Sequence, residues 1–151
     1  MGSLYERDFH PWCLEQARLL RELRNSKEVP DLDVEHVAEG MESLALEQRA
    51  QLEDYLAALM AYRLQYEYQR TDHARERDWL AKIVGPQQNI ERWLKESPSL
   101  RAFLPEAVED AYQSARIFAG TFNDFPQPCP YTFEQLLMRT SELPPAEENG
   151  G

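Results

Sequence analysis

A group of carboxylates with one histidine offers the clearest chemistry in this sequence: Glu35, His36, Glu39 and Glu42, with Glu53 further along. At about 100° per residue of an α-helix, the four glutamates share one flank of an apolar stripe. Carboxylates on a half-buried helix face bind metal ions, and helical bundles build di-metal sites from Glu and Glu-x-x-His pairs. Here His36-x-x-Glu39 has the reverse order. Two interpretations stay open: a metal site of His36, Glu39 and Glu42, or an ion-paired helix flank.

A second cluster, in residues 63–82, interleaves basic and aromatic side chains. Its members are Arg63, Tyr66, Tyr68, Arg70, His73, Arg75, Arg77, Trp79 and Lys82. This pattern is typical of nucleic-acid surfaces. Four acids in the same stretch cancel most of its charge, which favours a salt-bridged helix surface instead. Arg63 and Trp79 join Glu35, Glu39, Glu42 and Glu53 in our candidate functional face.

No complete catalytic set can be assembled from the remaining residues. His10 lies beside Asp8 and could act as a general base, but no activated Ser or Cys partner follows from the spacing. Cys13 falls on an apolar stripe and is predicted to be a core residue. There is no Gly-rich phosphate loop and no G-x-S-x-G motif. The sequence therefore leaves open whether the protein is an enzyme, and no cofactor is expected.

The elements that must position these residues are helices, because apolar residues recur at i, i+3 and i+4 throughout. The first helix is predicted from Phe9, with Asp8 as N-cap, to about Asn25. Asp33 caps a second segment, which is either one long helix or two joined near Leu46. Its predicted buried stripe consists of Val34, Val37, Met41, Leu44, Leu52, Leu56, Leu59 and Tyr66. Gly40 within it suggests a close contact or a bend.

The third helix carries Trp79 and Leu94, and Pro86 in its middle predicts a kink. The fourth is predicted to bury the apolar residues from Leu100 to Phe122, including Phe118. Small alanines on it allow a neighbouring helix to approach closely.

A proline-rich segment at 123–131 cannot be helical and predicts an extended strap, held by Phe125 and Tyr131. Thr132 and Gln135 form a capping box for a last short helix, Phe133 to about Arg139. No strand pattern appears. We therefore predict an all-α fold: a single bundle domain of four to five helices over residues 4–140, with a proline-rich C-terminal strap and a short terminal helix, followed by a disordered tail at 141–151.

The net charge of −11 is concentrated in residues 28–58, where nine acids accompany one base, Arg49. Such a field disfavours general binding to nucleic acid or to anionic lipid. No apolar run is long enough to span a membrane. Cys13 and Cys129 match no metal-ligand spacing, so two free thiols in a reducing cytoplasm are expected.

Several motifs in order resemble the bacterial family known as domain of unknown function number twenty-nine. They are residues 4–12 (LYERDFHPW), 38–44 (AEGMESL), 97–100 (SPSL), 111–116 (AYQSAR) and 125–131 (FPQPCPY). The resemblance covers about Leu4 to Leu137 and implies an all-α fold with no assigned activity. Asp8, Trp12, Glu39, Glu42 and Trp79 match the family pattern. Gly40, Tyr62, Gln65 and Gln88 depart from it, so an acid, a His, a Lys and an Arg are missing, and this puts enzymatic activity in doubt.

The leading hypothesis is a non-enzymatic, cytoplasmic interaction or regulatory protein of a bacterium that binds an unidentified protein partner or forms a homo-oligomer. The alternative is a metal-dependent or nucleic-acid-processing helical protein centred on His36, Glu39, Glu42 and Arg63.

Overall fold

The computed structural model describes residues 2–68, 76–120 and 125–143, and these residues form helices and connecting segments without a strand. The described residues in the first two thirds of the chain contain four α-helices: α1 (Leu4–Arg7), α2 (Phe9–Glu22), α3 (Val34–Tyr68) and α4 (Glu76–Glu96). A 3₁₀ turn at Leu23–Asn25 extends α2 to the residue at which the sequence predicted its end.

The remaining elements are a 3₁₀ helix at Pro98–Phe103, α5 (Leu104–Ala119), α6 (Phe133–Leu136) and a 3₁₀ turn at Thr140–Glu142. Helix α5 ends at Ala119, and Gly120, which follows it, has a φ of 128° in the region that favours glycine. Its predicted extension to Phe122 lies outside the described residues. The all-helical class and the bundle architecture are confirmed.

Helix α3 is one uninterrupted helix of 35 residues, which settles the choice between one helix and two. Helix α4 stays helical from Glu76 to Glu96 with Pro86 inside it. Pro86 cannot donate a backbone hydrogen bond within the helix. The buried residues Ile83 and Ile90, one on each side of it, anchor the helix in the core and compensate for the missing bond. The kink itself stays a prediction.

The buried face of α3 differs from the predicted stripe in its first half. Val37 and Leu44 are 42% and 39% exposed, whereas the neighbouring Ala38 and Ala45 are buried. The prediction was wrong here because it assigned the more hydrophobic residues to the core. The residue that is buried is the smaller alanine that follows each of them in sequence. From Leu52 onward the predicted stripe is confirmed.

Gly40 has no heavy atom within 4 Å of the position that a Cβ would take. The close contact that the sequence suggested is therefore wrong, and the glycine is an exposed weak point of α3. A similar correction applies to Phe118, predicted as core, which is 73% exposed.

The chain divides into two compact units. The first comprises Met1–Gln51 and Arg92–Ala102. Within it Ser97, fully buried, accepts a hydrogen bond from the backbone N–H of His10 at 3.1 Å and donates one to Gln48 at 2.9 Å. The Asp8 carboxylate accepts from the backbone N–H and the hydroxyl of Ser99, both at 3.0 Å. These bonds fasten the Pro98–Phe103 turn to the start of α2.

The second unit comprises Leu52–Glu91 and Phe103–Gly151. Phe125 and Tyr131 are buried, which confirms the two predicted anchors of the strap, and the Tyr112 hydroxyl donates to the carbonyl of Pro126 at 2.5 Å. The capping box of Thr132 and Gln135 is also confirmed. Residues 123, 124 and 144–151 lie outside the described residues, and the single-domain organisation stays a prediction.

No helix in the described part of the chain combines the length and the apolar character that a membrane crossing requires.

Candidate functional site

The predicted carboxylate face is divided among ion pairs. In the first unit Arg21 bonds both Glu35, at 3.3 Å from Nε, and Glu42, while Arg24 also bonds Glu35. Burial opposes it, but Arg24 and Arg21 hold the pKa of Glu35 below its usual value. Arg21 therefore brings together two of the four predicted glutamates, Glu35 and Glu42.

His36 and Glu39 are exposed, and His36 pairs with Asp33. The His36 ring nitrogen lies 2.5 Å from the Asp33 carboxylate, which raises the pKa of His36. Among residues 2–68, 76–120 and 125–143 there is no group of three His, Cys, Asp or Glu side chains that could hold a metal ion. The arrangement gives the His36, Glu39 and Glu42 metal site no support, so it stays a prediction. Glu53 belongs to the second unit.

Arg63 is buried and serves the fold of the second unit. Its guanidinium donates to Glu67 at 3.2 and 3.0 Å and to the Gln135 carbonyl at 2.9 Å, and it lies 5.1 Å from the centre of the Tyr131 ring. Tyr131 in turn donates to Glu67 at 2.8 Å. Burial and the charge of Glu67 raise the pKa of Tyr131, so this hydroxyl stays protonated.

Gln87 completes the attachment of α6. Its side-chain amide donates to the carbonyls of Leu136 and Met138 at 2.9 and 2.8 Å. A helix of four residues leaves its last carbonyls without intrahelical partners, and Arg63 and Gln87 donate to two of them, those of Gln135 and Leu136. Trp79, a further predicted face residue of this unit, has the Lys82 amine 4.6 Å from the centre of its ring.

Neither cysteine lies in a setting that lowers the pKa of its thiol. Burial raises the pKa of both Cys13 and Cys129, so neither thiol ionises readily near neutral pH. Cys13 is fully buried, as predicted. The hydroxyl of Ser97 donates to an amide and not to a histidine ring.

A groove in the second unit is lined by α3 and α5. Its volume is about 680 Å³, and its lining residues are Asp54, Ala57, Ala58, Ala61, Tyr62, Gln65, Ser114 and Phe118. Three alanines form an apolar floor, and four of the eight lining residues, Asp54, Tyr62, Gln65 and Ser114, carry polar groups. Exposed Phe118, with exposed Ile117 beside it, adds apolar surface at the α5 side. We call this site the α3–α5 groove.

The sequence analysis missed this groove. It treated small residues as a device for packing α5 and assigned Phe118 to the core. The available signal was the set of alanines at 57, 58 and 61, which share one face of α3 because they lie three and four residues apart. Tyr62 and Gln65, which also line the groove, are two of the positions at which we expect this chain to depart from the family pattern.

Asp54 is the charged residue of the groove lining, and the α3 and α5 stretches that supply the lining are acidic overall. The two lining stretches, Leu52–Tyr68 and Leu104–Ala119, carry six acidic and two basic residues. Of the two bases, Arg63 is buried against Glu67, and half-buried Arg116 bonds the side-chain oxygens of Gln113 and Gln127. Exposed Asp54 forms none of the ion pairs found within the described ranges.

The family described as domain of unknown function DUF29 matches residues 4–140, and the chain belongs to this family. A similar solved structure is that of an alpha-helical protein of unknown function from Rhodospirillum rubrum. It is 20% identical, with a TM-score of 0.69 over 91% of this chain and 90% of that one. This likeness shows the fold. None of the curated proteins matches the sequence.

Proposed function

We propose that this protein is a non-enzymatic interaction module of the cytoplasm that docks a segment of another protein in the α3–α5 groove. The observation that carries the proposal is an open, alanine-floored groove next to two exposed apolar side chains, Ile117 and Phe118. Adjacent exposed apolar side chains beside a concave site are a common feature of interaction sites. Docking of a partner would remove this surface from water.

The chemistry of the other candidate residues supports a binding role. Arg63 is committed to Glu67 and to a backbone carbonyl, and Glu35 and Glu42 of the first unit are bonded by Arg21 and Arg24. A general acid, a base or a nucleophile would need a group free to exchange a proton or to attack. Two free cysteines are consistent with a reducing compartment.

The test compares two tryptophan variants in the source organism. Ala58→Trp places a large ring in the groove, and Ala81→Trp adds the same ring at an exposed position of α4 that does not line it. Tagged wild type and Ala81→Trp should co-purify one protein in constant proportion, and Ala58→Trp should lose it. The purified partner should then bind purified wild type and Ala81→Trp, but not Ala58→Trp.

Equal recovery by all three forms would contradict the proposal. So would wild type that runs strictly as a monomer and recovers no protein above the untagged control.

A further inference from the structure

We infer that the occupant of the α3–α5 groove is a positively charged amphipathic helix of about three turns. This inference rests on the proposed function and specifies the partner's chemistry. The apolar floor, the acidic surroundings and the length of the groove each point to one property of that helix.

The length of the groove sets the length of the occupant. Its lining residues on α3 run from Asp54 to Gln65. Eleven steps of about 1.5 Å give roughly 16 Å, the length of three helical turns. A helix lying along α3 therefore presents about three successive turns to the groove. This corresponds to the helix-in-groove mode, with anchors at i, i+3, i+4 and i+7.

The floor determines how closely that helix can approach. Ala57, Ala58 and Ala61 carry only a methyl group each, and small side chains at a contact reduce the distance between helix axes toward the lower end of about 8–10 Å. Exposed Phe118 can cover one flank of a bound apolar face. A flat or large apolar surface would not reach the floor between the two helices.

The charge of the groove determines the sign of the charge that we expect on the occupant. Asp54 contributes an exposed carboxylate to the lining, and the two lining stretches are acidic overall. A Lys or Arg of the partner can pair with Asp54, with the rings of Tyr62 and Phe118 lining the same groove for a cation–π contact. A second copy of this chain carries the same net charge of −11 and would be repelled.

The probe is a pair of synthetic helical peptides of about 18 residues, long enough to hold helical structure. Both have Leu and Ala at i, i+3, i+4 and i+7, and their polar faces carry either Lys or Glu. Fluorescence anisotropy should show the Lys peptide binding the full-length protein about tenfold more tightly than the Glu peptide at about 50 mM salt. Binding of the Lys peptide should weaken as salt is raised.

Variants separate docking in the groove from general attraction to an acidic protein. Asp54→Asn should weaken binding of the Lys peptide about fivefold, as expected for loss of one rim charge pair. Glu91→Gln removes an equal charge from an exposed position of α4 outside the lining and should change it by less than about twofold. Ala58→Trp should abolish binding, while Ala81→Trp should retain it.

Equal affinity for the two peptides, or equal effects of Asp54→Asn and Glu91→Gln, would overturn the inference. Binding that survives Ala58→Trp would overturn it too, because the peptide would then lie elsewhere. A dimer of this chain that Ala58→Trp dissociates would identify a second copy as the occupant. In any of these cases, a native partner that binds wild type but not Ala58→Trp would still support the proposed function.

Discussion

Arg63→Ala should destabilise the protein by about 3 kcal/mol. The substitution removes a guanidinium that is only 6% exposed, together with its bonds to Glu67 and to the carbonyl of Gln135. Breaking a buried ion pair by removing one partner costs about 3–5 kcal/mol. The lower end applies because the Glu67 side chain is 28% exposed and water can solvate the carboxylate that remains.

Urea denaturation followed by circular dichroism measures this change in the free energy of unfolding. For a chain of this size, 3 kcal/mol corresponds to a fall in Tm of about 6–12 °C. Hydrogen exchange should also accelerate at residues 133–138, because Arg63 holds the end of α6. Arg63→Lys keeps the charge but loses the forked donor geometry, so it should fall between wild type and Arg63→Ala.

Arg77→Ala is the matched control, because Arg77 is an exposed arginine on α4. It should change stability by less than about 0.5 kcal/mol. If Arg63→Ala stays within 1 kcal/mol of Arg77→Ala and α6 exchanges at the wild-type rate, Arg63 does not hold the fold. Our assignment of this residue to structure would then be refuted.

Three further predictions concern the first unit. Gly40→Ala should raise the free energy of unfolding by about 1 kcal/mol in urea denaturation, because the added Cβ meets no neighbour in an exposed helix interior; a loss of stability would reveal a contact there. Ser97→Ala should lower it by about 1–3 kcal/mol in the same assay, because the buried side-chain oxygen of Gln48 loses its donor and the half-buried backbone N–H of His10 loses its acceptor; a neutral result would contradict this role. NMR titration should place the pKa of His36 above 6.5, raised by Asp33, and that of His10 below it, lowered by burial and Arg49. His36 binds its proton more tightly in the folded state, so its contribution to stability is full below pH 6.5 and is lost as pH rises through the folded pKa. A pKa of His10 above that of His36 would contradict the geometry.

The fold could be predicted in detail because local signals agreed with one another. Apolar periodicity, the Thr132 and Gln135 capping box and the proline-rich strap each indicated an element that the structure contains. The errors arose where tertiary packing decided between adjacent residues. Ala38 is buried and Val37 is 42% exposed, and helical periodicity alone does not determine which of two adjacent apolar residues packs against the rest of the fold.

The candidate site was predicted less well, for a physical reason. Helical periodicity placed Glu35 and Glu42 on one face correctly, but it could not show that Arg21 lies between them. The charge pairing of a carboxylate depends on residues from other helices, which one helix's periodicity does not reveal. The α3–α5 groove likewise results from two stretches about fifty residues apart and has no single motif.

Site-specific photo-crosslinking tests the docking claim most directly. A photoreactive phenylalanine analogue replaces Phe118 in the groove lining, and in a second form it replaces Leu46, which is 66% exposed but does not line the groove. In cells of the source organism, the form with the analogue at 118 should yield one discrete adduct with another protein, and adding Ala58→Trp should remove it. The form with the analogue at 46 should not yield that adduct. The same adducts from both positions, or none from position 118, would contradict the assignment of the α3–α5 groove as the docking site.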